Sequence, residues 1–150
     1  MEAQHNEPAW RHKADFVLGV KITDSVWAKE YQDEQLAARE IGDSTFEICC
    51  IPFMIYDLCL GDVVKTDDEF NVNAIVKSGG HFGFRVATRD GLEQQEVVAR
   101  AHEMGCLTER FSAKLCAIDA IDEDIAREVS GMLLSLREQG KIVDFETIKR

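Results

Sequence analysis

The spacing of the hydrophobic residues changes near residue 90. Before that point, hydrophobic residues alternate with polar ones or form short uninterrupted runs, which is typical of β-strands. The predicted strands span residues 15–22, 36–41, 45–51 and 70–77, and an apolar segment at 53–60 is expected to cross the core. Because these strands are short and joined by tight turns, the first half is predicted to form a curled sheet resembling a small barrel.

The segment 70–77 of this half allows a more specific prediction. In the segment 70–77, the hydrophobic residues Phe70, Val72, Ala74 and Val76 alternate with more polar positions. Side chains on one strand point alternately to the two faces of a sheet. The segment is therefore predicted to be a half-buried strand.

After residue 90 the pattern predicts two amphipathic helices. Asp90 and Glu93 form a capping box, and apolar residues follow at helical spacing as far as Gly105. Asp122 is expected to cap a second helix that ends at Gly140. Strands are predicted at residues 81–88, 106–110, 113–119 and 142–148. The order strand, helix, strand, strand, helix, strand is that of a ferredoxin-like βαββαβ unit.

This change of pattern predicts an α+β protein with two subdomains that share one core. Residues 1–13 lack an apolar run and are expected to be flexible, whereas 14–80 form the β-rich subdomain and 81–150 the ferredoxin-like one. A chain of 150 residues can bury a sufficient core without covalent staples. The five cysteines include no C-x-x-C pair and lie mostly in apolar surroundings, so they are expected to be reduced core residues.

The net charge of −11 narrows the classes of partner. Nucleic acids and anionic membranes bind clustered lysines and arginines, so neither is expected as a partner. The N-terminus has no secretory signal, and no apolar run approaches the ~20 residues of a membrane span, so a cytoplasmic location is expected. The acidic residues are spread over both halves. They indicate a folded acidic surface that either suits a basic protein partner or serves only solubility.

Several short segments occur in a recognisable order. They are EIGDSTFEI at 40–48, IPF at 51–53, LGDVV at 60–64, SGGH at 78–81 and RV at 85–86. Together with the apolar strand and helix that follow, they resemble a bacterial family of unknown function, the one numbered 4265, over roughly residues 15–148. The chain departs from the family pattern at Cys50, where Asn is preferred, and at Gly79-Gly80, which introduces an extra residue. Because the family has no established activity, the resemblance implies a fold rather than a function.

No motif in the sequence predicts catalytic, metal-ligating or cofactor-binding residues. Ser78, His81 and Arg85 form the most reactive-looking group, but the sequence places neither an orienting carboxylate nor an oxyanion hole beside them. His81 and Arg85 lie four residues apart on a predicted strand, about 13 Å, so they cannot hold one small group together. The three residues are interpreted either as contacts to a ligand or partner, or as an ordinary polar loop and strand.

These observations favour a protein that works by binding and is not an enzyme. The leading hypothesis is an immunity-type protein that binds and neutralises a cognate bacterial toxin, or another basic protein. The candidate contacts are two acidic groups and two aromatic residues in a predicted helical turn: Asp67, Asp68 and Glu69; Asp122, Glu123 and Asp124; and Trp27 and Tyr31.

Each of these contacts has a structural alternative, and so does the function. Helix capping explains the acidic group at Asp122, and core packing accounts for Trp27. The alternative function is a regulatory domain that binds a small ligand between the two halves, near His81 and Arg85, without catalysis.

Overall fold

The computed structural model describes residues 1–23 and 29–149. Within these residues it contains ten strands and two helices in two sheets, which confirms the mixed α+β fold. In chain order the elements are β1 (Glu2–Ala3), β2 (Phe16–Lys21), β3 (Asp33–Gly42), β4 (Thr45–Ile48), β5 (Val63–Thr66), β6 (Val72–Lys77), β7 (Phe82–Ala87), α1 (Gly91–Glu103), β8 (Leu107–Ser112), β9 (Leu115–Ala120), α2 (Glu123–Glu138) and β10 (Asp144–Thr147).

The first sheet is built around the long strand β3. One edge of β3 pairs with β2, and the other edge pairs with β4 and, near its start, with the short parallel strand β1. β5 and β6 continue the sheet in antiparallel order. The sheet curls until Gly19 of β2 lies beside Asn71, but no ladder of strand pairs closes it among the described residues. The predicted barrel-like sheet is therefore open.

The position of β6 corrects the prediction of a half-buried strand at 70–77. Positions 73–77 are exposed on both faces, and Ile75 and Val76 retain 46% and 50% of their accessible surface. β6 is the last strand of its sheet. Alternation along a strand shows its period, but it does not show whether another layer covers the strand. Phe70 lies just before β6 and packs against Phe16, with ring centroids 4.7 Å apart.

The second sheet has the strand order β10-β7-β9-β8, with every neighbouring pair antiparallel. Both helices begin where the sequence predicts. The carboxylate of Asp90 accepts a hydrogen bond from the N–H of Glu93, and the carboxylate of Asp122 accepts one from the N–H of Ile125. The buried faces of the helices share a hydrophobic cluster with β7 and β9. Neither helix combines the length and apolar character that crossing a membrane demands.

The opposite face of the second sheet is also covered. A separate hydrophobic cluster joins Ile51, Phe53 and Leu60 to Leu115 and other residues of the second sheet. All six positions of β9 are buried as a result. The five cysteines are free and buried, which confirms the prediction of reduced core residues.

The N-terminal residues, predicted to be flexible, contribute to this fold. β1 extends the first sheet, and Ala3 is fully buried. The backbone N–H of Trp10 donates to the C=O of Cys49 at 3.0 Å. Residues 1–13 are thus bound to both the first sheet and the segment that follows β4.

Candidate functional site

The turn before β6 carries the first predicted group of acidic residues. The carboxylate of Asp67 accepts hydrogen bonds from the backbone N–H groups of Glu69 and Asn71, each at 2.9 Å. The N–H of Asn71 contributes most to lowering the pKa of Asp67. Asp68 and Glu69 are exposed. Asp67 therefore shapes the turn, while Asp68 and Glu69 are presented to solvent beside the exposed strand.

The second predicted acidic group serves the start of α2. Asp122 is the N-cap, and Arg127 forms ion pairs with Glu123 at 2.8 Å and with Asp124 at 3.7 Å. This arrangement matches the helix-capping alternative. Because α2 packs on the second sheet, the two acidic groups lie on different layers of the molecule.

Of the two predicted aromatic contacts, the structure describes Tyr31. Tyr31 is partly buried and meets Phe111 edge to face, with ring centroids 5.5 Å apart. Its ring thus packs against the core. Trp27 and the beginning of the predicted helical turn lie outside the described residues.

Ser78, His81 and Arg85 do not form one site. The exposed Ser78 accepts a hydrogen bond from the backbone N–H of Gly80, which closes a local turn. Gly79 fits this loop because a Cβ there would lie 2.6 Å from the backbone of Gly61. His81 instead contacts a side chain on β9, and Arg85 contacts one on β10.

His81 forms a dyad with Asp119, a pairing that the sequence did not predict. Nδ1 of His81 lies 2.7 Å from Oδ2 of Asp119 on the adjacent strand β9. The hydrogen bond to Asp119 raises the pKa of His81, while burial raises the pKa of Asp119 itself. The second oxygen of Asp119, Oδ1, is buried without a hydrogen-bond partner in the described part of the chain.

This dyad supplies the orienting carboxylate that the sequence did not place, but no residue in the described part of the chain supplies it with a nucleophile. No serine or cysteine side chain among the described residues donates a hydrogen bond to His81. Burial raises the pKa of the Cys59 thiol to about 12, so this thiol stays protonated near neutral pH. The dyad can exchange a proton with a ligand or water, but it is not arranged for covalent catalysis.

A second histidine cluster, also missed by the sequence analysis, is fully enclosed. The side chain of His5 is 1% exposed and lies between two buried carboxylates, 2.8 Å from Glu34 and 2.7 Å from Glu109. Its ring stacks on Phe53 at 4.3 Å. Burial lowers the pKa of His5, but Cys50 and the two carboxylates outweigh that effect and hold it well above its usual value. We call His5, Glu34 and Glu109 the His5 cluster.

Arg85 lies at a cavity between the second sheet and the segment 51–60. The residue is 1% exposed, and its guanidinium carbon lies 4.7 Å from the centroid of the Tyr56 ring. Nη2 donates to the C=O of Ile55, and Nη1 lies 3.5 Å from Glu146. The cavity measures about 240 Å³. Arg85 is therefore a buried cation at an opening rather than part of an exposed strand face.

Comparison with known proteins places the chain in a family. A family model described as domain of unknown function DUF4265 matches residues 34–143. The chain belongs to this family. It is also similar to a solved structure, "Novel crystal structure of a hypothetical protein from Neisseria gonorrhoeae", with a TM-score of 0.73 and 14% identity over 90% of this chain and 96% of that chain. That likeness shows the fold alone. The curated proteins include no match.

Several segments that suggested the DUF4265 family fix loops of this chain. In LGDVV, the carboxylate of Asp62 accepts hydrogen bonds from the N–H groups of Cys59 and Gly79, at 2.9 and 2.8 Å. In IPF, the N–H of Phe53 donates to Glu34 at 2.6 Å. No group of three or more His, Cys, Asp or Glu residues in the described ranges is placed to hold a metal ion. These two family segments thus account for loop structure, whereas SGGH and RV contain His81 and Arg85 of the candidate sites.

Proposed function

We propose that this protein is an immunity-type protein, which binds and neutralises a cognate bacterial toxin by protein–protein contact without catalysis. The observation that carries the proposal is the exposed edge of β6. β6 pairs with β5 on one side only, and positions 73–77 are exposed on both faces. The one pairing on the other side in the described part of the chain is at Asn71, where β2 approaches.

An exposed strand edge can bind a segment of another protein. Its backbone N–H and C=O groups lack strand partners, so an extended peptide can add to the sheet by hydrogen bonding along it. Ile75 and Val76 supply apolar side chains on opposite faces of this edge. The edge therefore offers both backbone hydrogen bonds and apolar contacts to a partner strand.

The charge distribution favours a basic partner over a second copy of the chain. Asp68 and Glu69 lie in the turn that leads into β6, and the whole chain carries a net charge of −11. Charge complementarity accelerates association with a basic protein, whereas two identical acidic chains repel each other.

Two further parts of the proposal concern location and organisation. A cytoplasmic location suits a protein with five free cysteines. The strand order β10-β7-β9-β8, with one helix after β7 and one after β9, supports a ferredoxin-like subdomain at 81–150 beside a β-rich subdomain at 14–80. The hydrophobic cluster that includes both Phe53 and Leu115 supports one shared core.

The decisive experiment is recovery of the partner from the source cell. The tagged full chain should copurify with a stoichiometric protein, and expression of the chain should rescue cells that express the recovered protein alone. Failure to recover any stoichiometric protein partner would overturn the proposal. A partner that is harmless when expressed alone would contradict the immunity role but retain protein binding.

Variants can locate the contact on the recovered partner. Asp68→Lys with Glu69→Lys should slow association on the order of tenfold, because both carboxylates are exposed beside the edge. The matched control is Glu123→Lys with Asp124→Lys, which makes the same change in charge at the start of α2. Surface plasmon resonance at two salt concentrations separates the two outcomes, and equal effects of both pairs would remove the turn from the interface.

The apolar contact has its own variant. Ile75→Ser with Val76→Ser should weaken the complex roughly tenfold, mainly through faster dissociation, because apolar anchors contribute most of the binding energy at an interface. Both side chains are about half exposed, so the fold should be retained. Unfolding monitored by circular dichroism verifies this point, and unchanged dissociation from a folded variant contradicts strand-edge binding.

A further inference from the structure

The cavity beside Arg85 has the size of a small metabolite. It lies where Tyr56, from the segment 51–60, faces β7, β9 and β10 of the second sheet. Its volume of about 240 Å³ is below the range of ~300–1,000 Å³ that drug-sized ligands occupy. A molecule the size of a single amino acid fits a cavity of this volume.

The guanidinium at this cavity has fewer acceptors than its charge requires. Arg85 carries five N–H donors, yet its Nε is buried without a hydrogen-bond partner in the described part of the chain. Nη1 lies 3.5 Å from Oε1 of Glu146, longer than the ~2.7–2.9 Å of a strong charge-assisted hydrogen bond. A ligand carboxylate near Arg85 would supply acceptors that the described residues do not.

Two negatively charged side chains lie at the opening of the same cavity. Glu146 is held in place by the hydroxyl of Tyr56, which donates to Oε2 at 2.7 Å. Asp144, whose side chain is 64% exposed, accepts a hydrogen bond from Arg137 at 3.0 Å. These two carboxylates repel a simple anion and attract an ammonium group. The opening therefore combines one buried cation with two acidic side chains on β10.

The remaining lining is apolar. Leu115 and Ala87 come from the two central strands of the second sheet. These side chains cannot hydrogen-bond a ligand, but they can bury an alkyl or aromatic group at about 25 cal/mol per Å². The lining of the cavity thus includes a cationic, an anionic and an apolar surface.

We propose that this cavity binds a small zwitterion with an apolar side chain, the chemistry of a free α-amino acid. The carboxylate meets Arg85, the ammonium group meets Glu146 and Asp144, and the side chain contacts Leu115 and Ala87. This assignment is independent of the toxin partner, because it concerns the second sheet rather than the edge of β6.

Three probes of similar shape test the charge requirement on the full chain. L-leucine carries both charges, leucinamide lacks the carboxylate, and 4-methylpentanoate lacks the ammonium group. In an NMR titration, leucine should shift the amide signals of residues 85–87 and 144–146, and each analogue should bind at least tenfold more weakly. Absence of shifts at about 10 mM leucine overturns the proposal, as does equal binding of either analogue.

Variants at the rim test the position of the ammonium group without disturbing the core. Asp144→Asn and Glu146→Gln should each weaken leucine binding several-fold while leaving or improving the binding of 4-methylpentanoate, because only the anionic group is lost. Asp68→Asn, on the turn before β6, is the matched control and should change neither. Unchanged leucine binding in both rim variants would overturn the assigned orientation.

Discussion

The two histidines that contact buried carboxylates differ in how completely their hydrogen bonds are satisfied. His5 contacts a carboxylate through each ring nitrogen, and its side chain is 1% exposed. His81 contacts one carboxylate, that of Asp119, through Nδ1 alone, and its side chain is 12% exposed. One imidazole is enclosed, whereas the other keeps 12% of its side chain exposed.

The carboxylates of the two clusters differ in the same way. Glu34 accepts backbone N–H groups from three consecutive residues that begin at Phe53, and Glu109 accepts those of Ala9 and Ile51. Asp119 leaves Oδ1 without a partner in the described part of the chain. A fully satisfied buried network fixes one structure, whereas a partly satisfied one retains capacity for a proton or ligand. The comparison therefore assigns His5 a structural role and makes His81 the more adaptable group.

The largest expected effect comes from removing the imidazole of the enclosed cluster. His5→Ala leaves two buried carboxylates without their common donor, and breaking a buried ion pair in this way costs about 3–5 kcal/mol. Urea unfolding at pH 7 measures the loss. His12→Ala, an exposed histidine on the same N-terminal segment, is the control and should leave the free energy of unfolding almost unchanged. A similar, small effect of both substitutions would remove the structural role of His5.

The sequence could not predict this cluster, because its members are far apart along the chain. His5 lies 29 residues from Glu34 and 104 from Glu109, and no local pattern relates them. The two residues of the dyad are also far apart along the chain, since 38 residues separate His81 from Asp119. Pairing of this kind depends on strand register, which a single sequence does not determine.

Local patterns, in contrast, predicted the elements that depend on neighbouring residues. The caps at Asp90 and Asp122 follow from side chains that reach the next turn of their own helix, and both are present. The exposure of β6 was not predictable from its alternating residues, because it depends on which strand ends the sheet. The sequence thus predicted helix starts and hairpins, while the candidate sites required the assembled fold.

A second prediction compares the two clusters through their carboxylates. Glu34→Gln removes the charge that the ring of His5 and the backbone N–H groups from Phe53 onward share, and losing hydrogen bonds to a buried charged group costs about 1.5–3 kcal/mol. Asp119→Asn should cost less, because Oδ1 of Asp119 has no bond to lose. Urea midpoints at pH 7 rank the two variants. The reverse ranking would show that the dyad, rather than the His5 cluster, stabilises the fold.

A third prediction uses the pH dependence of stability. The pKa of His5 is raised well above its usual value of 6.5, so the folded protein keeps a proton that the unfolded chain loses. The stabilisation is complete below pH 6.5 and falls as the pH rises toward the folded pKa. Unfolding measured between about pH 6.5 and 7.5 should therefore show decreasing stability.

The same titration separates the two histidines. His5→Gln should remove most of this decrease in the free energy of unfolding. His81→Asn should remove less of it, although the pKa of His81 is also raised. The interval ends well below the usual cysteine pKa of 9.0, so the buried thiols contribute little. Removal of an equal part of this decrease by the two variants would mean that the two imidazoles are coupled to folding to the same extent.

The smallest expected effect concerns the protonation of His81 alone. The hydrogen bond that His81 donates to Asp119 is the largest cause of its raised pKa, and burial acts in the opposite direction. In Asp119→Asn the charge is lost while the burial remains, so the pKa of His81 should fall, as followed by NMR of the ring protons. The raised pKa of His5 serves as the internal control, because its partners are Glu34 and Glu109. If the pKa of His81 stays unchanged, the bond to Asp119 is not populated in solution, and the contrast between a closed and an adaptable histidine cluster fails.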